Sequence, residues 1–215
     1  VNYALRKEVY GNYEPIHVKE LVQRNAKMGF YDPELLGSYT DEEWDKINGF
    51  IKHDRDEQLT YVAMEQLRGK YLVQNRVTGE IFETPQMCYI LIAATLFSQY
   101  PQETRLRYVK DYYDAVSQHD ISLPTPVMAG VRTPQRQFSS CVLIETDDSL
   151  ASINATSASI VNYVSQKAGI GIGAGRIRAL GSPVNNGAVT HTGVIPFYKM
   201  FQAATRSCSQ GGVRN

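Results

Sequence analysis

Apolar residues recur at helical spacing over most of the first 120 positions. From Glu14 to Phe30, opening at Pro15, Val18, Leu21 and Val22 fall on one side. Thr40-Asp41-Glu42-Glu43 has the form of a capping box, in which a hydroxyl accepts from the third helical amide and a glutamate reaches back. Behind it Trp44, Ile47 and Ile51 predict an amphipathic helix to about His53. Leu59 to Leu67 reads as a further short helix. Tyr71-Leu72-Val73, Thr78-Gly79 and Ile81-Phe82 suggest a small hairpin. Pro85 sits where a helix would start, and Gln86 to Phe97 is apolar nearly all round, which predicts a buried central helix. Glu103 to Ser117 carries the stripe Leu106, Val109, Tyr113 and Val116.

The pattern changes near Ile121. Ile121 to Met128 holds two prolines and reads as extended. Phe138 to Glu145 is a short apolar strand containing Cys141. Asp148 or Ser149 can cap a helix running to about Lys167. Ala168 to Leu180 reads as a glycine-rich strand, Gly181 to Gly187 as a turn-rich loop, and His191 to Ser207 as helix. Strand, helix, strand, loop, helix is the order of an α/β unit. The domain boundary is placed near Thr133 to Arg136. The fold class is therefore α+β to α/β, a mainly helical N-terminal domain followed by an α/β part.

Charge and cysteine content narrow the function classes. The chain has 22 basic and 22 acidic residues among 215, so no basic excess marks a polynucleotide-binding surface. Single nucleotides need only a local cationic pocket. The longest apolar stretch, Met87 to Phe97, is about 11 residues where a membrane span needs about 20. No signal peptide opens the chain. Cys88, Cys141 and Cys208 form an odd, sparse set, which argues for a reducing, cytoplasmic compartment. The four histidines are scattered, and no metal site is expected. The chain begins at Val1 rather than Met and closes on the loop-like residues Gly211 to Asn215, so both ends read as cuts.

Gly169, Gly171, Gly173 and Gly175 alternate strictly, in a register that lacks the third glycine of a dinucleotide fingerprint. Glycine at period two leaves one strand face without side chains, open to close approach by either backbone or a ligand. Arg176 and Arg178 would alternate out of that strand as a solvated edge or a phosphate clamp. Asp147-Asp148 reads as a helix cap. Cys141 on spacing alone is a small buried hydrophobe, and Cys88 and Cys208 read the same way. Asn154-Ala-Thr156 matches a glycosylation acceptor but falls mid-helix. Composition and spacing end at an α/β protein with a strand suited to a small ligand, and they name no reaction.

Longer segments go further. The run from Ile121 through ISLPTPVMAGVRTPQRQFSSCVLIETDDSL to AGIGIGAGRIRALGSP resembles the catalytic large subunit of class I ribonucleotide reductases, of the enterobacterial and T4-like phage type. HTGVIPFYKMFQAATRSCSQGGVR, and YDPELL, FIKHDRD and GKYLVQNRVTGEIFETPQ in the helical part, resemble the same family collinearly over essentially the whole chain. The resemblance implies residues 1–10 as the tail of an ATP cone, 11–135 as a helical N-terminal domain, and 136–215 as the start of a ten-stranded α/β barrel. It implies reduction of ribonucleoside diphosphates by radical chemistry with a redox-active cysteine pair, of which Cys141 is one member. Thr125, Ser140 and Gly169 would contact substrate. Asp148, Ser149, Leu150, Arg178, Asn185 and Arg214 would form the allosteric effector site for a deoxynucleoside triphosphate. Gly181 to Ala188 and Ser209 to Arg214 would be its two loops, and Lys7 would contact ATP. No cofactor would be bound by this chain, since the radical metallocofactor belongs to a partner small subunit. The other implied partners are thioredoxin or glutaredoxin, a second large subunit in a homodimer, and a complementary C-terminal chain or segment. Nucleic acid and membrane are not expected as partners.

The family often has a basic residue where Asn185 stands, and a Gly-Gly after Arg214 where this chain ends in Asn215. The second redox cysteine and the radical cysteine are not among these residues, so this chain alone is expected to be inactive. Three readings stay open: a split subunit completed in trans, a non-catalytic nucleotide-binding truncated module, and an excerpt of a longer chain.

Overall fold

A computed structural model describes residues 2–208. The chain divides into two compact units, Val1–Phe138 and Ser139–Asn215.

The first unit is helical. Its elements are α1 (Asn2–Tyr10), α2 (Val18–Lys27), α3 (Pro33–Gly37), α4 (Asp41–Phe50), α5 (Tyr61–Gln66), α6 (Pro85–Leu96), α7 (Gln102–Ser117) and α8 (Thr125–Gly130). The capping box forms as read: the Glu43 amide donates to Thr40 Oγ1 at 3.3 Å and the Thr40 amide to Glu43 Oε2 at 2.9 Å. α6 is the centre of the core. Its residues from Pro85 to Ala94 are all buried, because an apolar surface on every side leaves no solvent face. α4 and α7 place Trp44, Ile47, Val109, Tyr113 and Val116 in the same cluster, together with Val18, Leu21 and Val22 of α2.

Local structure departs from the reading in four places. The helix expected from Glu14 begins at Val18, where His17 Nδ1 accepts from the Lys19 amide. α5 does not end at Leu67 but runs into a π-helical turn, Leu67–Tyr71. The hairpin shrinks to a single antiparallel bridge, Gln74 to Ile81. The proline-containing segment expected to be extended turns helical as α8, because Pro126 lies within its first turn, where proline's missing N–H costs no bond.

The second unit pairs β1 (Cys141–Glu145) with β2 (Gly169–Gly173) in parallel, joined by α9 (Leu150–Ser165). A short antiparallel ribbon, β3 (Pro183–Val184) and β4 (Val189–Thr190), precedes α10 (Ile195–Ser207). Ile144, Ile170 and Ile172 pack against Ile153, Ile160 and Val164 of α9 and Phe201 of α10. The glycine strand is shorter than read. It ends at Gly173, and Arg176 and Arg178 lie in the irregular segment beyond it, not on a strand face. The loop from Gly181 contains the β3–β4 ribbon, turned by Asn185 and Asn186 at φ of 51° and 56°. Paired left-handed residues favour asparagine and match the twist of a hairpin.

No helix among the described residues is long and apolar enough to cross a membrane.

Candidate active and effector sites

β1 and β2 run in the register Cys141↔Gly169, Leu143↔Gly171, Glu145↔Gly173. Period two along each strand puts Cys141, Leu143 and Glu145 on the same face as the three glycines. That face is open within the unit: Cys141 is exposed and Leu143 is 87% exposed, while the alternate residues Ile144, Ile170 and Ile172 pack inward. A Cβ on Gly169 would sit 3.7 Å from Cys141 Sγ and 3.5 Å from the Ser140 carbonyl. One on Gly171 would come within 2.7 Å of Leu143 Cδ2. The glycines thus leave this face of β2 as a strip without side chains beside a free thiol, with only the tip of the exposed Leu143 side chain lying over Gly171.

Ser140 and Gly169 belong to that strip. The Gly169 amide donates to the Ser140 carbonyl at 2.7 Å, and Ser140 Oγ donates toward Cys141 Sγ at 3.8 Å. Cys141 is therefore not the buried hydrophobe that spacing suggests. Cys88 and Cys208 are buried, as read. Burial in α6 pushes the Cys88 thiol well above the ordinary thiol range, and its Sγ donates to the Met128 carbonyl at 3.8 Å. Cys208 Sγ lies 3.5 Å from the Ala204 carbonyl and 3.7 Å from that of Val161.

A second constellation lies at the C-terminal end of β1. Ser149, not Asp148, caps α9: its Oγ accepts from the Ser152 amide at 3.2 Å, and the Asp147 amide donates to Ser152 Oγ at 2.8 Å. Asp148 turns instead to Arg178. It accepts from the Arg178 amide at 3.0 Å and from the Arg178 Nε at 2.6 Å, and Arg178 Nη1 donates to the Pro183 carbonyl at 3.0 Å. The amide first, and then the guanidinium, hold the Asp148 carboxyl below the usual carboxylate range. One arginine thereby links the head of α9 to the start of the ribbon. Leu150 follows at 72% exposure, and Asn185 is exposed at the ribbon tip.

Two contacts here had no signal in the sequence. Arg176 Nε pairs with Glu145 at 3.0 Å, which depends on the chain turning after Gly173. His191 stacks on Phe197 at 5.9 Å between centroids, and its Nδ1 accepts from the Gly193 amide at 3.0 Å.

The remaining residues lie in the helical unit or beyond the described part. Thr125 is the first residue of α8 and is half-buried. Lys7 is exposed on α1, with its Nζ 5.7 Å from the centre of the Tyr13 ring. Arg214 and the loop from Ser209 lie outside the described residues. Among the described residues no group of three or more His, Cys, Asp or Glu could hold a metal ion.

Residues 57–136 match the family model of the ribonucleotide reductase all-alpha domain, and residues 139–215 that of the ribonucleotide reductase barrel domain. The chain belongs to the ribonucleotide reductase large-subunit family. It is 65% identical over 212 residues to ribonucleoside-diphosphate reductase 1 subunit alpha of Escherichia coli, which covers 99% of this chain and 28% of that protein. It is 63% identical to the alpha subunit of Haemophilus influenzae and 54% identical to that of Enterobacteria phage T4, with the same coverage. The chain thus spans 28% of the length of these three relatives.

Proposed function

We propose that this chain is part of a ribonucleoside-diphosphate reductase large subunit that converts ribonucleoside diphosphates to deoxyribonucleoside diphosphates. Cys141 is one of its two reducing thiols. Removing a ribose hydroxyl as water takes two electrons, and a dithiol that closes to a disulfide delivers them. The second thiol comes from the complementary C-terminal segment, and a thioredoxin- or glutaredoxin-type dithiol restores the pair. The observation that carries this reading is the exposed thiol of Cys141 opposite Gly169, beside a strand whose side of that face carries only glycine. A sugar ring can approach such a strip closely, with Ser140 and Gly169 as substrate contacts; Thr125 of the helical unit is read as a further substrate contact.

In this reading residues 1–10 end an ATP cone, with Lys7 at the nucleotide, residues 11–135 are the helical domain, and residues 136–215 begin a ten-stranded barrel. The allosteric site for a deoxynucleoside triphosphate is built on Asp148, Ser149, Leu150, Arg178, Asn185 and Arg214. The Asp148–Arg178 pair supports it, since it presents an anchored guanidinium beside the ribbon. Asn185 brings no charge, so phosphate must be met by arginines elsewhere in the site. The radical arises in a partner small subunit, and large subunits pair as a homodimer in the cytoplasm.

The test is Cys141→Ser in the complete reductase. Turnover with a thioredoxin-type reductant should fall to background while deoxynucleotide effector binding persists. Retained turnover would remove Cys141 from the reaction. Loss of effector binding as well would show that the substitution broke the unit, not the chemistry.

A further inference from the structure

Glu83 and Arg132 form a fully buried ion pair in the helical unit, with both side chains at 0% exposure. Glu83 stands just before α6, and Arg132 just after α8. The carboxylate is saturated. Oε2 accepts from Arg132 Nε at 2.7 Å and from the Tyr31 hydroxyl at 2.5 Å, and Oε1 accepts from the Val73 amide at 2.7 Å and from Arg132 Nη2. The guanidinium also donates to two carbonyls, Met128 at 2.7 Å through Nη1 and Tyr71 at 3.0 Å through Nη2.

Stability alone does not call for such a pair. Well-packed apolar residues of similar volume serve as well or better, because each buried charge carries a desolvation penalty. What apolar residues cannot do is grip a particular carbonyl. α8 is six residues long, far too short to hold its own direction, and no side chain caps its N-terminus. Its orientation is set from the other end. The Met128 carbonyl receives Arg132 Nη1 and the Cys88 thiol, and the Arg132 carbonyl in turn accepts from the Asp32 amide at 2.9 Å. The first residue of this short helix is Thr125.

We propose that Arg132, locked by Glu83, is a positioning residue that fixes α8 and so places the Thr125 side chain for the ribonucleoside diphosphate. This rests on the reading of Thr125 as a substrate contact. Arg132 touches no substrate itself. It acts through a rigid tie whose fork geometry lysine cannot reproduce.

The experiment compares Thr125→Ala, Arg132→Lys, the double variant and Tyr31→Phe in the complete large subunit with its small subunit. KM and kcat for a ribonucleoside diphosphate are read together with deoxynucleotide effector affinity. Thr125→Ala should raise KM about tenfold, the loss of one hydrogen bond to a charged group. Arg132→Lys should raise KM severalfold with kcat within about twofold and effector affinity unchanged. The double variant should be no worse than Thr125→Ala, because both act through one side chain. Tyr31→Phe removes a single hydroxyl from Glu83 and is expected to fold even if Arg132→Lys does not; its KM should rise about twofold. A purely structural pair would lower kcat through a smaller active fraction and leave KM alone, which overturns the proposal. If Thr125→Ala raises KM while Arg132→Lys and Tyr31→Phe leave it unmoved, the positioning role is wrong and the reading of Thr125 stands. If Thr125→Ala also leaves KM unmoved, both fall.

Discussion

The helical unit buries its polar chemistry, and the α/β unit displays it. In the first unit Glu83, Arg132, Asp56, Gln86 and Asn25 lie inside, each with protein partners. In the second, Cys141, Glu145 and Arg176 are exposed, and Leu143 stands at 87% exposure on a strand face that its own unit leaves uncovered. Closed cores make polar groups structural, since an unpaired one inside costs a full desolvation penalty. Open faces leave them available to react or bind. The strongest responses to substitution should therefore come from the first unit, and the strongest effects on chemistry from the second.

The largest stability effect is expected at the buried pair. Arg132→Met leaves Glu83 buried without its counter-ion, held only by the Tyr31 hydroxyl and the Val73 amide, and should cost the helical unit about 3–5 kcal/mol. The double variant Glu83→Leu, Arg132→Met removes both charges and should recover most of that loss. The single tryptophan, Trp44, is fully buried in this unit, so its fluorescence reports unfolding there alone. Amide exchange in residues 139–208 should not change. Equal loss of protection in both units would mean that they unfold together, and the contrast between them would fail.

Next comes Asp56. Burial pushes its carboxyl up to about 7, against the pull of the Gln86 hydrogen bond at 2.9 Å and the charge of Arg6. A raised acid is bound to its proton more tightly in the folded state, so its stabilising effect is complete below about pH 3.8 and is lost as pH rises through about 7. Three pKa units correspond to about 4 kcal/mol. His53 works in the opposite direction. Burial and then Arg6 bring its imidazolium down to about 4, so charging it on acidification opposes folding. The two partly cancel in the whole protein, and the difference between wild type and Asp56→Asn isolates the carboxylate. The variant should gain stability relative to wild type between pH 5 and 8, measured by melting temperature. A difference that stays flat across this range would place Asp56 in contact with water.

Much of the helical unit was legible because its signals are local. A capping box spans four residues, and an all-apolar run longer than a strand can only be a buried helix. The Glu83–Arg132 pair was not legible, since its members are 49 positions apart and nothing in the spacing of charges tells a buried pair from two surface ones. In the α/β unit the glycine period did announce a cleared strand face. What faced it depended on register, a non-local property, and the pairing of Cys141 with Gly169 decided it. The same limit explains Asp148. Its position before α9 suggested a cap, but Ser149 satisfies that helix and frees the aspartate for Arg178, 30 residues on. The family resemblance supplied roles that no local pattern carries.

The smallest expected change in stability is also the sharpest test of the open face. A Cβ at Gly171 would meet Leu143 Cδ2 at 2.7 Å, a clash that packing inside a core would make costly. Here the obstructing atom is the tip of a flexible side chain at 87% exposure, which can rotate into solvent. Alanine also narrows the unfolded ensemble relative to glycine, worth about 0.4–1 kcal/mol in its favour. Gly171→Ala should therefore leave the stability of residues 139–208 within about 1 kcal/mol of wild type, read by amide exchange across β1 and β2. In the complete reductase the same methyl group intrudes on the strip beside Cys141, and turnover should fall by more than tenfold. A large loss of stability in this chain would mean that Leu143 is held in place and the face is already packed. Unchanged turnover would mean that nothing approaches the glycine strip closely enough to need it clear.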